Sequence, residues 1–202
     1  MLALCDANNF FVSCERLYRP ELRSRPVVVL SNNDGCIISR SNEVKAMGIP
    51  MGQPYYQVEG LLRKKRVAVC SGNLVLYKEV SEKVMRALGR FTDLMEEYSI
   101  DEAFLNFPKA AIGAPVEYAS RIRRVVDRMI GIPISVGIAP TKILSKLASD
   151  RAKKTESGVL EITGRNAGEM LKTTGIGDIW GIGRKTAEKL NRYGIYNAVD
   201  FV

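Results

Sequence analysis

The stretch Leu94-Met95-Glu96-Glu97-Tyr98-Ser99-Ile100-Asp101-Glu102-Ala103-Phe104-Leu105-Asn106-Phe107 decides the reading. Leu94 to Tyr98 and Ala103 to Phe107 read as strands, with Ser99-Ile100-Asp101-Glu102 between them. A second carboxylate, Asp6, closes the short apolar strand Leu2-Ala3-Leu4-Cys5 near the start of the chain. Phosphoryl transfer with two magnesium ions needs carboxylates that converge from separate elements. Hard cations take oxygen ligands, and two ions about 3.5–4 Å apart need bridging anions. Neighbouring strand residues face opposite ways, so a regular strand would not aim Asp101 and Glu102 at one point. A tight turn or distortion at Ser99-Ile100 would relax this. Acidic residues at the ends of apolar strands are also commonly just solvated, and either motif alone leaves that reading open.

Outward from these carboxylates the chain alternates between periods. Helical spacing is expected over Phe10 to Leu17, with Pro20 as its stop. Pro26 to Leu30 is a β-branched strand, Asn32-Asn33-Asp34-Gly35 a hairpin turn, and Cys36 to Ser39 its partner. Short helices follow over Asn42 to Met47 and Pro54 to Leu62, then a strand over Arg66 to Cys70. Leu74 to Phe91 is a long helix with Val80, Val84, Leu88 and Phe91 on one stripe. Pro115 to Ile130 and Thr141 to Lys153 are helices, the latter capped by Thr141. Ile134 to Ile138 and Gly158 to Ile162 are strands. From about Thr163 the chain turns helical and reads as a separate small unit. This order favours an α+β fold with a mixed or antiparallel sheet.

Composition narrows the chemistry. The 202 residues carry a formal net charge of +8, which favours a polyanionic partner such as nucleic acid or an acidic membrane surface. Histidine is absent from the sequence, which removes Ser-His-Asp and Cys-His catalysis and imidazole zinc sites. Cys5, Cys14, Cys36 and Cys70 form no Cys-x-x-Cys pair, so a reduced, cytoplasmic protein is expected. No signal peptide is visible, and no apolar run approaches the ~20 residues of a membrane span.

Two further motifs surround the carboxylates. Asn8-Asn9-Phe10-Phe11 follows Asp6 and opens a helix, whose free N–H groups suit a triphosphate. A flat ring at Phe11 would clash with a ribose 2′-hydroxyl. Phe10 and Phe11 could both be core, and Phe10 is the better core candidate. Ser39, Arg40, Asn42 and Lys45 cluster at a strand-to-helix junction, and Lys153 ends a helix; such cations could grip phosphates or simply be solvated. In the tail, Ile179-Trp180-Gly181-Ile182-Gly183-Arg184-Lys185 followed by Ala187 and Leu190 matches a helix-hairpin-helix. Its glycines let backbone amides approach a DNA phosphate.

In order, these segments resemble the Y-family translesion DNA polymerases, and most of all their UmuC-like catalytic subunits of bacterial polymerase V. Ala3 to Asn8, Ser31 to Cys36, Glu97 to Phe104, Val136 to Ala139, Lys142 to Ala148 and Asp178 to Arg184 carry the resemblance, which spans essentially the whole chain. It implies a palm over residues 1–9 and 72–162, fingers over 10–71 and a partial thumb over 163–202. By this resemblance Asp6, Asp101 and Glu102, with the Ala7 carbonyl, hold two Mg²⁺ ions. Phe11 is the sugar gate, beside Asn9 and Phe10. Ile37 and Ile38 lie over the nascent base pair, and Ser39, Asn42, Lys45 and Lys153 approach the dNTP triphosphate. Gly181, Gly183, Arg184 and Lys185 meet DNA. Implied partners are primer-template DNA and a dNTP, with a regulatory subunit, a recombinase filament and a sliding clamp beyond them. Many members carry tyrosine at the gate, and tyrosine and arginine in place of Asn42 and Lys45. The family continues past Val202 into a C-terminal little-finger domain, so the chain reads as a fragment or a short reading frame. Two other readings share features: a non-catalytic fragment that binds DNA or serves assembly, and a palm-like nucleotide cyclase.

Overall fold

Two mixed sheets organise the chain. A computed structural model describes residues 1–201. Its elements are β1 (Leu2–Ala7), α1 (Phe10–Tyr18), β2 (Val27–Leu30), β3 (Ile37–Arg40), α2 (Asn42–Ala46), α3 (Tyr55–Lys64), β4 (Ala68–Ser71), α4 (Leu74–Leu88), β5 (Met95–Glu97), β6 (Glu102–Asn106), α5 (Pro115–Ile130), β7 (Ile134–Ala139), α6 (Lys142–Ala152), β8 (Val159–Glu161), α7 (Ala167–Lys172), α8 (Arg184–Arg192) and α9 (Ala198–Phe201).

The larger sheet has the order β5-β6-β1-β7-β8, antiparallel throughout except for the parallel pair β7-β8. The smaller has the order β3-β2-β4, with β2 and β3 an antiparallel hairpin and β4 parallel to β2. The expected α+β class holds.

Alternation along the strands assigns the two faces of the large sheet. Ala3, Cys5, Leu105, Val136 and Ile138 point into the main core, where Val80, Val84 and Leu88 of α4 and Ile122 and Val126 of α5 meet them. Leu4, Asp6, Glu102 and Gly137 have the opposite parity and face the other way. On that side α6 lies directly on β7. A Cβ at Gly137 would fall 2.6 Å from the Ala148 carbonyl carbon, inside contact distance of the helix backbone. Glycine there is what lets α6 come down onto the sheet. Thr141 caps α6 as expected, its hydroxyl accepting from the Leu144 amide at 3.3 Å.

Two expectations need correction. The first strand does not stop before Asp6; it runs through Asp6 and Ala7, because both sides of β1 are paired. The segment before the glycine turn of the tail is not a full helix but one 3₁₀ turn, Ile176–Asp178. The tail packs against the rest of the chain at its first helix. Ala167 and Met170 pack with Leu144, Leu147 and Ile162, since α7 alone is too short to bury its own apolar face. Among the described residues no helix is long and apolar enough to cross a membrane.

Candidate active site

Asp6 and Glu102 stand opposite each other across the β1–β6 ladder. Directly paired residues on antiparallel strands share a face, so both carboxylates emerge on the α6 side. Asp101 escapes the alternation rule because it precedes β6. The Tyr98 and Ser99 amides both donate to the Glu102 carbonyl, at 2.9 and 3.1 Å, and close a tight turn. The Ala7 amide donates to the Asp101 carbonyl at 2.9 Å and ties that turn to β1. The Ser99 hydroxyl donates to Asp101 Oδ1 at 2.8 Å. The distortion anticipated at Ser99-Ile100 is therefore real, and it brings the third carboxylate to the same cavity.

That cavity, about 230 Å³, lies between the two sheets. Asp6, Ala7, Asn9, Phe10, Phe11, Ile38, Ser39, Lys45, Asp101, Glu102 and Lys153 all line it, as do Arg40 and Met51. Ile37 and Asn42 do not. Ile37 is fully buried in the small-lobe core with Val28, Leu30 and Val44, because it has the opposite strand parity to Ile38. Its side chain is a packing group of that core. Asn42 reaches the site only through Asn9, whose Nδ2 donates to its Oδ1 at 3.0 Å. Asn9 itself has φ 48° and turns the chain from β1 into α1.

Lys146 of α6 and Lys153, the residue that caps its C-terminus, complete the wall. Lys153 Nζ donates to Asp6 Oδ2 at 2.6 Å. Lys146 bridges Glu102 Oε1 and Asp6 Oδ2, the latter at 3.6 Å. Lys146 was missing from the expected site, yet it lies seven residues before Lys153, two helical turns, and so on the same helix face. Burial pulls both ammonium groups down, but the carboxylates beside them outweigh it and raise both. Burial raises Asp6 to about 6, reinforced by Glu102 and opposed by Lys153. Asp101 is raised as well, first by burial. Lys45 is lowered by burial and then by Arg40 and Lys153.

Among the described residues no three acidic, cysteine or histidine groups stand close enough to form a metal cluster. The donor set still fits hard cations. Lys146 shows that Asp6 and Glu102 converge on one positive charge, and Asp101 opens on the same cavity.

Phe10 and Phe11 differ in burial. Phe10 is buried in the main core and also lines the cavity. Phe11 is half-buried and stacks on Tyr77, centroids 4.5 Å apart and planes 20° from parallel. Tyr77 is fully buried, and its hydroxyl donates to Glu15 at 2.8 Å. Glu15 lies one turn beyond Phe11 on α1, so the ring is held from behind by a residue anchored to its own helix.

In the tail, Gly181 has φ +92°, open to glycine and strained for other residues. A Cβ at Gly181 or Gly183 would meet nothing within 4 Å, so this backbone faces open space. Trp180 turns inward instead. Its ring packs edge-on against Tyr98 at 5.1 Å and tilted against Phe104 at 5.9 Å, next to the turn that holds Asp101.

A five-stranded sheet with opposed carboxylates, a small lobe facing it over Phe11 and a glycine turn behind define the architecture of the Y-family DNA polymerases. The solved insertion ternary complex of Dbh DNA polymerase superposes with a TM-score of 0.87 at 26% identity, over 97% of this chain and 58% of that one. DinB from Sulfolobus solfataricus gives 0.85 at 26% identity, over 97% of this chain and 58% of that one. The sequence matches the impB/mucB/samB family over residues 5–150 and the IMS family HHH motif over residues 169–195. ImpB of Salmonella typhimurium is 43% identical over 98% of this chain and 48% of its own length. UmuC of the same species is 40% identical over 99% of this chain and 49% of its own length. DNA polymerase IV of Dehalococcoides mccartyi is 35% identical over 94% and 49%. The chain belongs to the impB/mucB/samB family, the UmuC-like branch of the Y-family polymerases. It spans about half the length of the curated relatives it matches.

Proposed function

We propose that this chain carries the catalytic core of a translesion DNA polymerase, which adds deoxynucleotides to a primer 3′ end under the direction of a template. The observation that carries this reading is the opposition of Asp6 and Glu102, with Asp101 delivered by its turn to the cavity that Phe11 and Lys153 also line. Asp6, Asp101 and Glu102, with the Ala7 carbonyl, are the residues that would hold two magnesium ions. When bound, such ions activate the attacking hydroxyl and steady the leaving pyrophosphate. Lys45, Lys153 and Ser39 lie where they can bind the triphosphate, and Asn42 orients Asn9 beside them. The Phe11 ring, backed by Tyr77, closes the space a 2′-hydroxyl would need. Ile38, which lines the same cavity, is the residue that would cover the base pair. The open backbone at Gly181 and Gly183, with Arg184 and Lys185, suits DNA phosphates without reading sequence.

In domain terms the large sheet with α4, α5 and α6 is the palm, the small sheet with α1, α2 and α3 the fingers, and residues from 163 onward the start of a thumb. On the same likeness its partners are primer-template DNA and a dNTP, with a regulatory subunit, a recombinase filament and a sliding clamp as further ones, in the cytoplasm. The test is primer extension with and without Mg²⁺, on wild type, Asp101→Ala and Glu102→Ala. Template-matched, Mg²⁺-dependent incorporation lost in both variants is expected; incorporation that survives both substitutions overturns the assignment.

The open backbone at Gly181 and Gly183 favours a second reading, a unit that binds primer-template DNA or assists assembly without incorporation. It predicts salt-sensitive, sequence-independent binding and no extension in the same assay.

A further inference from the structure

The turn that delivers Asp101 stands at the edge of the large sheet. β5 is the outermost strand and only three residues long, paired with β6 from Met95 to Glu97. Beyond Glu97 the ladder ends, and the Tyr98 and Ser99 amides close on the Glu102 carbonyl instead. So short an edge strand holds the turn after it weakly, and side-chain packing decides where the turn sits.

That packing comes from the tail. Tyr98, at the start of the turn, meets Trp180 edge-on, with ring centroids 5.1 Å apart and planes at 90°. Phe104 of β6 closes the group, 5.8 Å from Tyr98 and 5.9 Å from Trp180. Phe104 is buried and has the strand parity of Glu102, so the three rings gather on the face that carries the carboxylates. Lys142, the first residue of α6, stands over the Phe104 ring and pairs with Glu96 of β5. Edge-to-face pairs are favoured by the ring quadrupoles and specify an orientation as well as a distance.

Trp180 cannot move apart from the glycine turn. The Ile182 amide donates to the Ile179 carbonyl at 2.9 Å and closes a four-residue turn with Trp180 and Gly181 at its centre. Gly181, at φ +92°, supplies the positive φ that a type II turn requires at its third position. One tight turn thus joins a ring pressed on Tyr98 to the backbone of Gly181 and Gly183, which faces open space.

We propose that Trp180 is a positioning residue: DNA held on the glycine turn acts through the Trp180–Tyr98 contact to fix the turn that presents Asp101 to the cavity. The parts given to Asp101 and to the glycine turn rest on the polymerase reading, whereas the link between the two turns rests on the ring packing. The site is then firmly set only when the tail is seated on a DNA backbone.

The experiment follows hydrogen exchange of the Tyr98 and Ser99 amides in wild type, Trp180→Ala and Trp180→Phe. Each is measured alone and with primer-template duplex at a concentration that saturates that variant, read by anisotropy of labelled duplex. In wild type, duplex should slow this exchange by about threefold or more. Trp180→Ala should abolish the slowing, and Trp180→Phe, which keeps an aromatic edge, should retain most of it. Primer extension at saturating duplex reads the consequence. In Trp180→Ala and in Tyr98→Ala kcat should fall about tenfold, with KM for dNTP within about twofold of wild type. The double variant should lose little more than either single one, because both substitutions remove one contact. Exchange that duplex does not slow in wild type overturns the proposal, and so does slowing that persists in Trp180→Ala. Losses of kcat that add in full in the double variant overturn it too. Should Trp180→Ala not fold, Trp180→Leu takes its place with the same outcomes. If wild type incorporates nothing while the slowing is seen and depends on Trp180, the link between the turns stands and the polymerase reading falls.

Discussion

Asp6 and Glu102 are directly opposed residues on neighbouring antiparallel strands, with one lysine, Lys146, between their carboxylates. Like charges in that position repel, so the pair persists only with a cation in reach. Their placement is costly for the fold, and it suits the metal role proposed for them.

This cost sets a pH dependence. Burial first, then Glu102, raises Asp6 from 3.8 to about 6. The folded chain therefore holds this proton more tightly than the unfolded one. The stability it contributes is fully present below about pH 4 and is lost as pH rises through about 6. The metal-free protein is expected to melt at lower temperature at pH 7.5 than at pH 5. Asp6→Asn should remove most of that difference and raise Tm at pH 7.5 by a few degrees, at about 2–4 °C per kcal/mol for a chain of this size. It should also abolish extension. Melting curves across pH, with and without Mg²⁺, check this.

Gly137→Ala is expected to damage the site without touching it. The new methyl would strike the α6 backbone near Ala148 and push the helix off the sheet. Lys146 and Lys153 would move with it, away from Glu102 and Asp6. Overpacking of this kind costs about 1–3 kcal/mol, more where the obstacle is backbone. Urea denaturation should show that loss, and any remaining activity should show a raised KM for dNTP.

Phe11→Leu opens the space beside the sugar while keeping an apolar side chain. Ribonucleotide incorporation relative to deoxynucleotide should rise by at least about tenfold, the equivalent of ~1.4 kcal/mol. Competition between matched rNTP and dNTP on one template measures it.

Tyr77→Phe removes the partner of a buried carboxylate while leaving the ring beneath Phe11. Glu15 retains Arg19 at 3.7 Å, but its donor inside the core is gone. A loss of roughly 1–3 kcal/mol is expected by chemical denaturation. A fall in stability well below 1 kcal/mol would show that the hydroxyl is not what holds the pair.

Trp180 is the single tryptophan of the sequence, so intrinsic fluorescence reports on one contact. Its packing on Tyr98 and Phe104 joins the glycine turn to the hairpin bearing Asp101 and Glu102. Adding duplex DNA should shift the emission, and the shift should shrink as salt rises. Lys185→Ala should weaken that binding by a similar factor for every DNA sequence. A sequence-dependent loss would count against a phosphate contact.

Much of this molecule was legible before folding. The stripe of Val80, Val84 and Leu88, the Thr141 cap and the glycine turn of the tail are local patterns, and each appeared where its period placed it. Sequence also set the chemistry available, with oxygen donors and no imidazole. What it could not supply was which side chains share a face. Ile37 and Ile38 are equivalent in sequence, and only the pairing of β3 sent one into the small-lobe core and the other to the cavity. Lys146 and Tyr77 became site residues because Gly137 lets α6 approach and because α4 packs on α1. Periodicity fixes the direction of a side chain relative to its own element; the register and the close approach between elements, which only the packed fold determines, decide what that side chain meets.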